Sequence, residues 1–168
     1  MSLDGHADPK QSAATLVVVD WAVDSETVAA TCAARDRGLA LHLVVPAWLH
    51  GLDWAGDPFA SVPCARRQLE RIVDLCRTAG LRVASAEVGD PDPLSAIGDA
   101  LEAVRVDEIV LFGRGRHVTP GYPFSVVRRA ERLSGLRVTP VAVRAAPRPP
   151  RRRFLAGSHC APATHAFG

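Results

Sequence analysis

The residues with the clearest chemical potential form the run Gly113-Arg114-Gly115-Arg116, followed by His117 and, further on, Ser125. Two closely spaced guanidinium groups can grip a phosphate or a carboxylate through paired N–H donors. The interleaved glycines let backbone N–H groups approach the same anion. Pro123 suits the first position of a helix, which leaves the N–H groups of Phe124, Ser125 and Val126 without intrahelical partners and available to an anion. Asp20 ends the apolar run Thr15-Leu16-Val17-Val18-Val19. It has two readings: contact with a nucleoside, or hydrogen bonds to the N–H groups of its own turn. For Arg114 and Arg116 the alternative reading is a solvated loop. His117 and Ser125 are the residue types of a base and a nucleophile, but no acid completes them, so turnover is not expected.

Other reactive residues group less well. His42 alternates on an apolar run and reads as a satisfied core or edge histidine. Trp48 and Trp54 could line an aromatic pocket, or form a local cluster beneath a long loop. No Cys-x-x-Cys pair exists among Cys32, Cys64, Cys76 and Cys160, and zinc spacing is absent. Cys32 and Cys76 fall on helical apolar stripes and read as buried free thiols. His159, Cys160 and His165 are too sparse for a metal site.

The elements that position the glycine-arginine loop are legible in the pattern. Val88-Gly89-Asp90-Pro91-Asp92-Pro93, a helical stretch and then Asp107-Glu108-Ile109-Val110-Leu111-Phe112-Gly113 make one βαβ unit, with a right-handed crossover expected. Asp92 is predicted as the N-cap and Pro93 as the first residue of that helix, with Leu94, Ile97, Leu101 and Val104 as its buried stripe. Upstream, strands are predicted at 15–20, 40–46 and 81–88. A helix capped by Asp24 or Ser25 lies between the first two. A second helix carries the stripe Leu69, Ile72, Val73 and Cys76 and ends at Gly80. The connection 47–62 is longer than most loops in compact domains. Downstream, the last helix runs from Pro123 with the stripe Val126, Val127, Ala130 and Leu133 and closes at Gly135. The fifth strand, 138–143, contains Pro140, which cannot donate to a ladder and so belongs at a sheet edge.

Five strands alternating with four helices predict an α/β fold: a three-layer α/β/α sandwich around a five-stranded parallel sheet. The expected strand order is 3-2-1-4-5. Such a sheet binds ligands beyond the carboxyl ends of its strands, at the switch point between the first and fourth. The candidate nucleotide or anion site is therefore Asp20, Val45, Gly113, Arg114, Gly115, Arg116 and Ser125.

Composition sets the outer bounds. The 168 residues are 48% hydrophobic and 23% charged, ordinary for one globular domain. Net charge is +2, yet Arg144, Arg148, Arg151, Arg152 and Arg153 lie in a carboxyl-terminal stretch that has no acid, so the remainder is mildly acidic. That balance argues against a nucleic-acid-binding body. The expected organisation is a disordered leader at 1–13, one domain at 14–144 and a basic, Pro/Arg-rich disordered tail at 145–168. No apolar run reaches the roughly 20 residues of a membrane span. No secretory h-region is present near the amino terminus, so a reducing, cytoplasmic setting is expected.

Taken in order, Asp20, Gly89-Asp90-Pro91, Asp107 to Gly113 and Thr139-Pro140-Val141-Ala142-Val143 resemble the universal stress protein family over roughly residues 14–144. The Gly-Asp-Pro-Asp-Pro run with His42-Leu43-Val44-Val45-Pro46 resembles a divergent, actinobacterial-type branch of its superfamily of adenine-nucleotide α-hydrolase-like proteins. The resemblance implies a regulatory stress-response module that dimerises through the fifth strand and can bind ATP or another adenine nucleotide. Nucleotide-binding members carry Gly-x2-Gly-x9-Gly-Ser/Thr after the fourth strand. Here Arg116 replaces the second glycine, Val126 and Val127 stand where Gly-Ser/Thr belongs, and Trp21 replaces a small residue, so a degenerate site is expected. The alternatives are an interaction module that binds no nucleotide and, below it, an enzyme of the nucleotide-hydrolase type.

Overall fold

A computed structural model describes residues 14–35, 38–48, 61–119 and 125–143, without the side chains of Arg116 and His117. The expected leader and tail, Trp54, Pro123 and Phe124 lie outside the described residues. The order is β1 (Ala14–Val19), α1 (Ser25–Arg35), β2 (Ala40–Pro46), α2 (Val62–Thr78), β3 (Arg82–Gly89), α3 (Pro93–Ala103), β4 (Glu108–Gly113), a 3-10 turn (Gly115–Val118), α4 (Val126–Ser134) and β5 (Arg137–Ala142). The five strands form one parallel sheet in the order β3-β2-β1-β4-β5. Both the fold class and the strand order agree with the sequence-based expectation.

The central strands are apolar on both faces because helices cover both. On one side Val17, Val19, Leu43, Val45, Val110 and Phe112 pack with Val28 and Cys32 of α1 and with Leu69, Ile72 and Cys76 of α2. On the other, Leu16, Val18, Val44, Ile109 and Leu111 pack with Ala96, Ile97 and Ala100 of α3 and with Val126, Val127 and Ala130 of α4. Among the described residues no helix is long and apolar enough to cross a membrane.

Local chemistry sets most of the ends. Asp24 Oδ2 accepts from Thr27 N at 2.9 Å and caps α1. Asp92 Oδ2 accepts from Ser95 N at 3.2 Å and caps α3, with Pro93 at its first position. Gly135 terminates α4 at φ 68°, the left-handed conformation that glycine adopts without strain. Pro140 sits opposite Leu111 on the edge strand β5, where its missing N–H deprives only one neighbour.

Two helical stripes differ from expectation. In α3 the fully buried residues are Pro93, Ala96, Ile97 and Ala100, while Leu94, Leu101 and Val104 are half-buried. Ala96 and Ala100 let the helix lie close to the sheet with Ile97 buried beside them, and the leucines fall on its flanks. The last helix begins at Val126 with Ser125 as N-cap, not at Pro123. Its buried face is Val126, Val127 and Ala130, and Leu133 is 57% exposed.

Cys32 and Cys76 are buried free thiols. Burial pushes the Cys32 thiol up to about 12, with the Cys76 sulfur adding to the shift and Arg35 opposing it, and burial also raises Cys76. Thiolate is the reactive form, so both should resist alkylation at pH 8 in the native state and label only in denaturant. Peptide mass spectrometry after iodoacetamide treatment checks this, and native labelling of Cys32 at the rate of a free thiol would contradict its burial.

Candidate functional site

The carboxyl ends of β1 and β4 are joined by backbone and side chain together. Asp20 N donates to Phe112 O at 3.0 Å, extending the β1–β4 ladder by one residue. Asp20 O accepts from Val23 N at 2.9 Å, and Asp20 Oδ1 accepts from Ala22 N at 3.0 Å. The turn after β1 is thus built around this aspartate, as the second of its two readings requires. Its other carboxylate oxygen, Oδ2, faces Arg114 Nε at 3.7 Å, so the same side chain also serves an ion pair. Asp20 is buried, with 4% of its side chain accessible, against 33% for Arg114. Among the described residues Arg114 Nε is a buried donor without a hydrogen-bond acceptor, because 3.7 Å is too long for one.

The glycines have different reasons for being glycine. At Gly113, which ends β4, an added Cβ would lie 2.5 Å from Val118 Cγ1. The fully buried Val118 side chain, carried by the 3-10 turn, fills the space over this residue. Close approach is real here, but the approaching group belongs to the chain itself. Gly115 opens the 3-10 turn at φ 64° with nothing near its missing Cβ, so its need is conformational. Thr119 Oγ1 donates to Gly115 O at 3.1 Å and ties the turn down. Gly113 O accepts from Val143 N at 3.0 Å, linking the loop to the end of β5.

Ser125 is fully buried and its hydroxyl accepts from Arg128 N at 3.4 Å. Its role in the fold is that of an N-cap, which leaves the N–H groups of Val126 and Val127 as the donors at the helix start. This helix packs on the 3-10 turn that follows Arg114. Val45 is also fully buried, facing α1 and α2 within the core, where it is a packing residue. Arg116 lies in the 3-10 turn, its side chain outside the described part.

Two tryptophans act at the rim. Trp21 Nε1 donates to Trp48 O at 2.6 Å, fastening the turn after β1 to the exit of β2. Trp21 packs against the α1/α2 side of the core and Trp48 against the α3/α4 side, so the bond straddles the end of the sheet. Trp48 carries a sequence signal as an aromatic beside a long loop. Val118 carries none, since a single valine after a polar loop does not announce what it covers.

No protein-family model and no curated protein matches the sequence. Among solved structures the chain is similar to a universal stress protein from Archaeoglobus fulgidus, with 23% identity, a TM-score of 0.53, and coverage of 76% of this chain and 97% of that one. The chain has the universal stress protein fold. A universal stress protein in complex with cAMP is a further neighbour, at 17% identity and a TM-score of 0.45, covering 80% of this chain and 98% of that one. Within this fold an open depression of about 290 Å³ lies at the opposite, amino-terminal end of the strands, between Ala14, Thr15, Leu39, Asp107, Glu108 and Arg137. Its carboxylates are already engaged: Asp107 Oδ2 accepts from Ala14 N at 2.8 Å, and Glu108 binds Arg35 at 2.7 Å and accepts from Thr15 Oγ1 at 3.2 Å. At the switch-point end, by contrast, Arg114 Nε has no hydrogen-bond acceptor among the described residues.

Proposed function

We propose that this chain is a cytoplasmic regulatory module of universal-stress-protein type that works by binding, not by turnover, and that pairs with a second copy through the β5 edge. Its site is a degenerate anion or nucleotide site formed by Asp20, Gly113, Arg114, Gly115, Arg116 and the Ser125-capped start of α4. The observation that carries this reading is Arg114 Nε, a buried donor without a hydrogen-bond acceptor among the described residues. An unsatisfied buried N–H is costly, and an anion placed there removes the cost. Asp20 repels an anion that comes too near, so the ligand must present a donor such as a hydroxyl to Asp20 while its charge lies toward the arginines. An adenine nucleotide has that combination. The Gly-Asp-Pro-Asp-Pro run supports placing the module in the divergent branch.

The interaction-module reading is favoured by a separate observation. Val118 occupies the space that Gly113 opens, and the Trp21–Trp48 bond crosses the rim. Both restrict a triphosphate, so ATP is expected to bind no more tightly than the high micromolar range. Calorimetric titration with ATP, ADP, AMP and inorganic phosphate tests both readings. Replacing Arg114 and Arg116 together by alanine is expected to weaken binding roughly tenfold or more, the worth of a charge-assisted hydrogen bond. Submicromolar ATP affinity that survives the double change would refute the site, and no binding of any of the four ligands would leave the interaction module as the function.

A further inference from the structure

The outer surface of α3 and α4 is electrically divided. On α3 the exposed charges are Asp99 and Glu102, with no base in the helix. On α4 they are Arg128, Arg129 and Arg132, opposed by Glu131 alone. The two helices pack against each other on the same face of the sheet. Among the described residues none of these acids forms an ion pair with any of these arginines, although they share a surface.

An apolar strip runs along the α3–α4 seam. Leu133, 57% exposed, is the one large hydrophobic side chain standing open among the described residues. It leans toward α3, where its Cδ2 is 4.0 Å from the position a Cβ would take on Gly98. Gly98 leaves a dip in the α3 surface, and the half-buried Leu94 and Leu101 continue the strip on that helix. In helical projection Gly98, Leu94 and Leu101 share the flank of α3 turned toward Leu133, while Asp99 and Glu102 lie further out.

We propose that this face is a self-association surface whose occupant is a second copy of the chain, distinct from pairing at the β5 edge. Charge complementarity identifies the occupant. A twofold axis along the strip brings the acidic α3 of each copy over the basic α4 of its mate, so the same patch is complementary to itself, as a twofold interface requires. It also sets each Leu133 against the partner's strip, where its exposed surface leaves water. A different acidic or basic partner would satisfy only half of the patch.

Sedimentation velocity of the full chain over a range of concentrations tests the proposal. Leu133→Asp is expected to remove one association step, raising the dissociation constant of that step roughly tenfold or more, whether or not the β5 edges also pair. Reversing Arg128 and Arg132 to Glu should weaken the same step, as should reversing Asp99 and Glu102 to Arg. All four reversals together should restore it, and added salt should weaken the wild-type step. Circular dichroism melts confirm folding, and Leu133→Ala provides a second, neutral variant. A species distribution unchanged by Leu133→Asp at every concentration overturns the surface, and failure of the fourfold reversal to restore association overturns the charge pairing. Neither outcome bears on nucleotide titration, so the site and this surface stand or fall separately.

Discussion

Replacing Gly89 with alanine should destabilise the protein by roughly 2–3 kcal/mol, the upper part of the range for overpacking a well-filled core. Gly89 ends β3 and is not a positive-φ glycine, so backbone freedom does not explain it. An added Cβ would lie 2.6 Å from Ala96 Cβ and 3.0 Å from Val44 Cγ1. Ala96 is fixed to the α3 backbone, so relief requires the whole helix to lift from the sheet. Ala96→Gly alone should cost about 1 kcal/mol through helix propensity. Combined with Gly89→Ala it should recover much of the loss, giving a coupling of at least about 1 kcal/mol in a double-mutant cycle. Urea denaturation of the four proteins measures this. Strict additivity would mean that the glycine answers to something other than α3.

Phe112→Ala is expected to have the larger effect, a loss of roughly 3–5 kcal/mol and a fall in melting temperature of about 10–20 °C. Phe112 is the largest fully buried side chain among the described residues and packs between β1, β5 and the α1/α2 layer. Its carbonyl receives the Asp20 N–H, a backbone bond that the substitution leaves in place. Phe112→Leu keeps most of the volume and should cost about a third as much. A Phe112→Ala protein that melts within a few degrees of wild type would show that the two central strands do not depend on this packing.

The Arg114 site and the two glycines show where one-dimensional reading ends. Asp20 was legible as a strand-end aspartate because the apolar run before it stops there. That it would serve its own turn and Arg114 at once depends on β1 and β4 lying side by side, which only the sheet decides. Gly89 and Gly113 were visible as glycines beside turns, the usual mark of conformational need or ligand approach. Their occupants, Ala96 and Val118, come from the segments that follow and are chosen by how closely those segments dock.

The same division holds across the molecule. Alternating apolar runs and amphipathic stretches determined the five strands, the four helices and, through the rules of parallel crossovers, a three-layer sandwich in the order 3-2-1-4-5. Asp92 before Pro93, Gly135 after α4 and Pro140 in β5 each act within a few residues, so their roles as cap, stop and edge marker were written locally. Tertiary structure alone decided which flank of α3 and α4 turns inward, leaving Leu133 in the open and the leucines of α3 half-covered. It also decided the start of α4 at Val126, capped by Ser125, and the bond from Trp21 to Trp48. Periodicity reports the contrast between the sides of one element, whereas the depth and angle at which a neighbour meets it are properties of the pair.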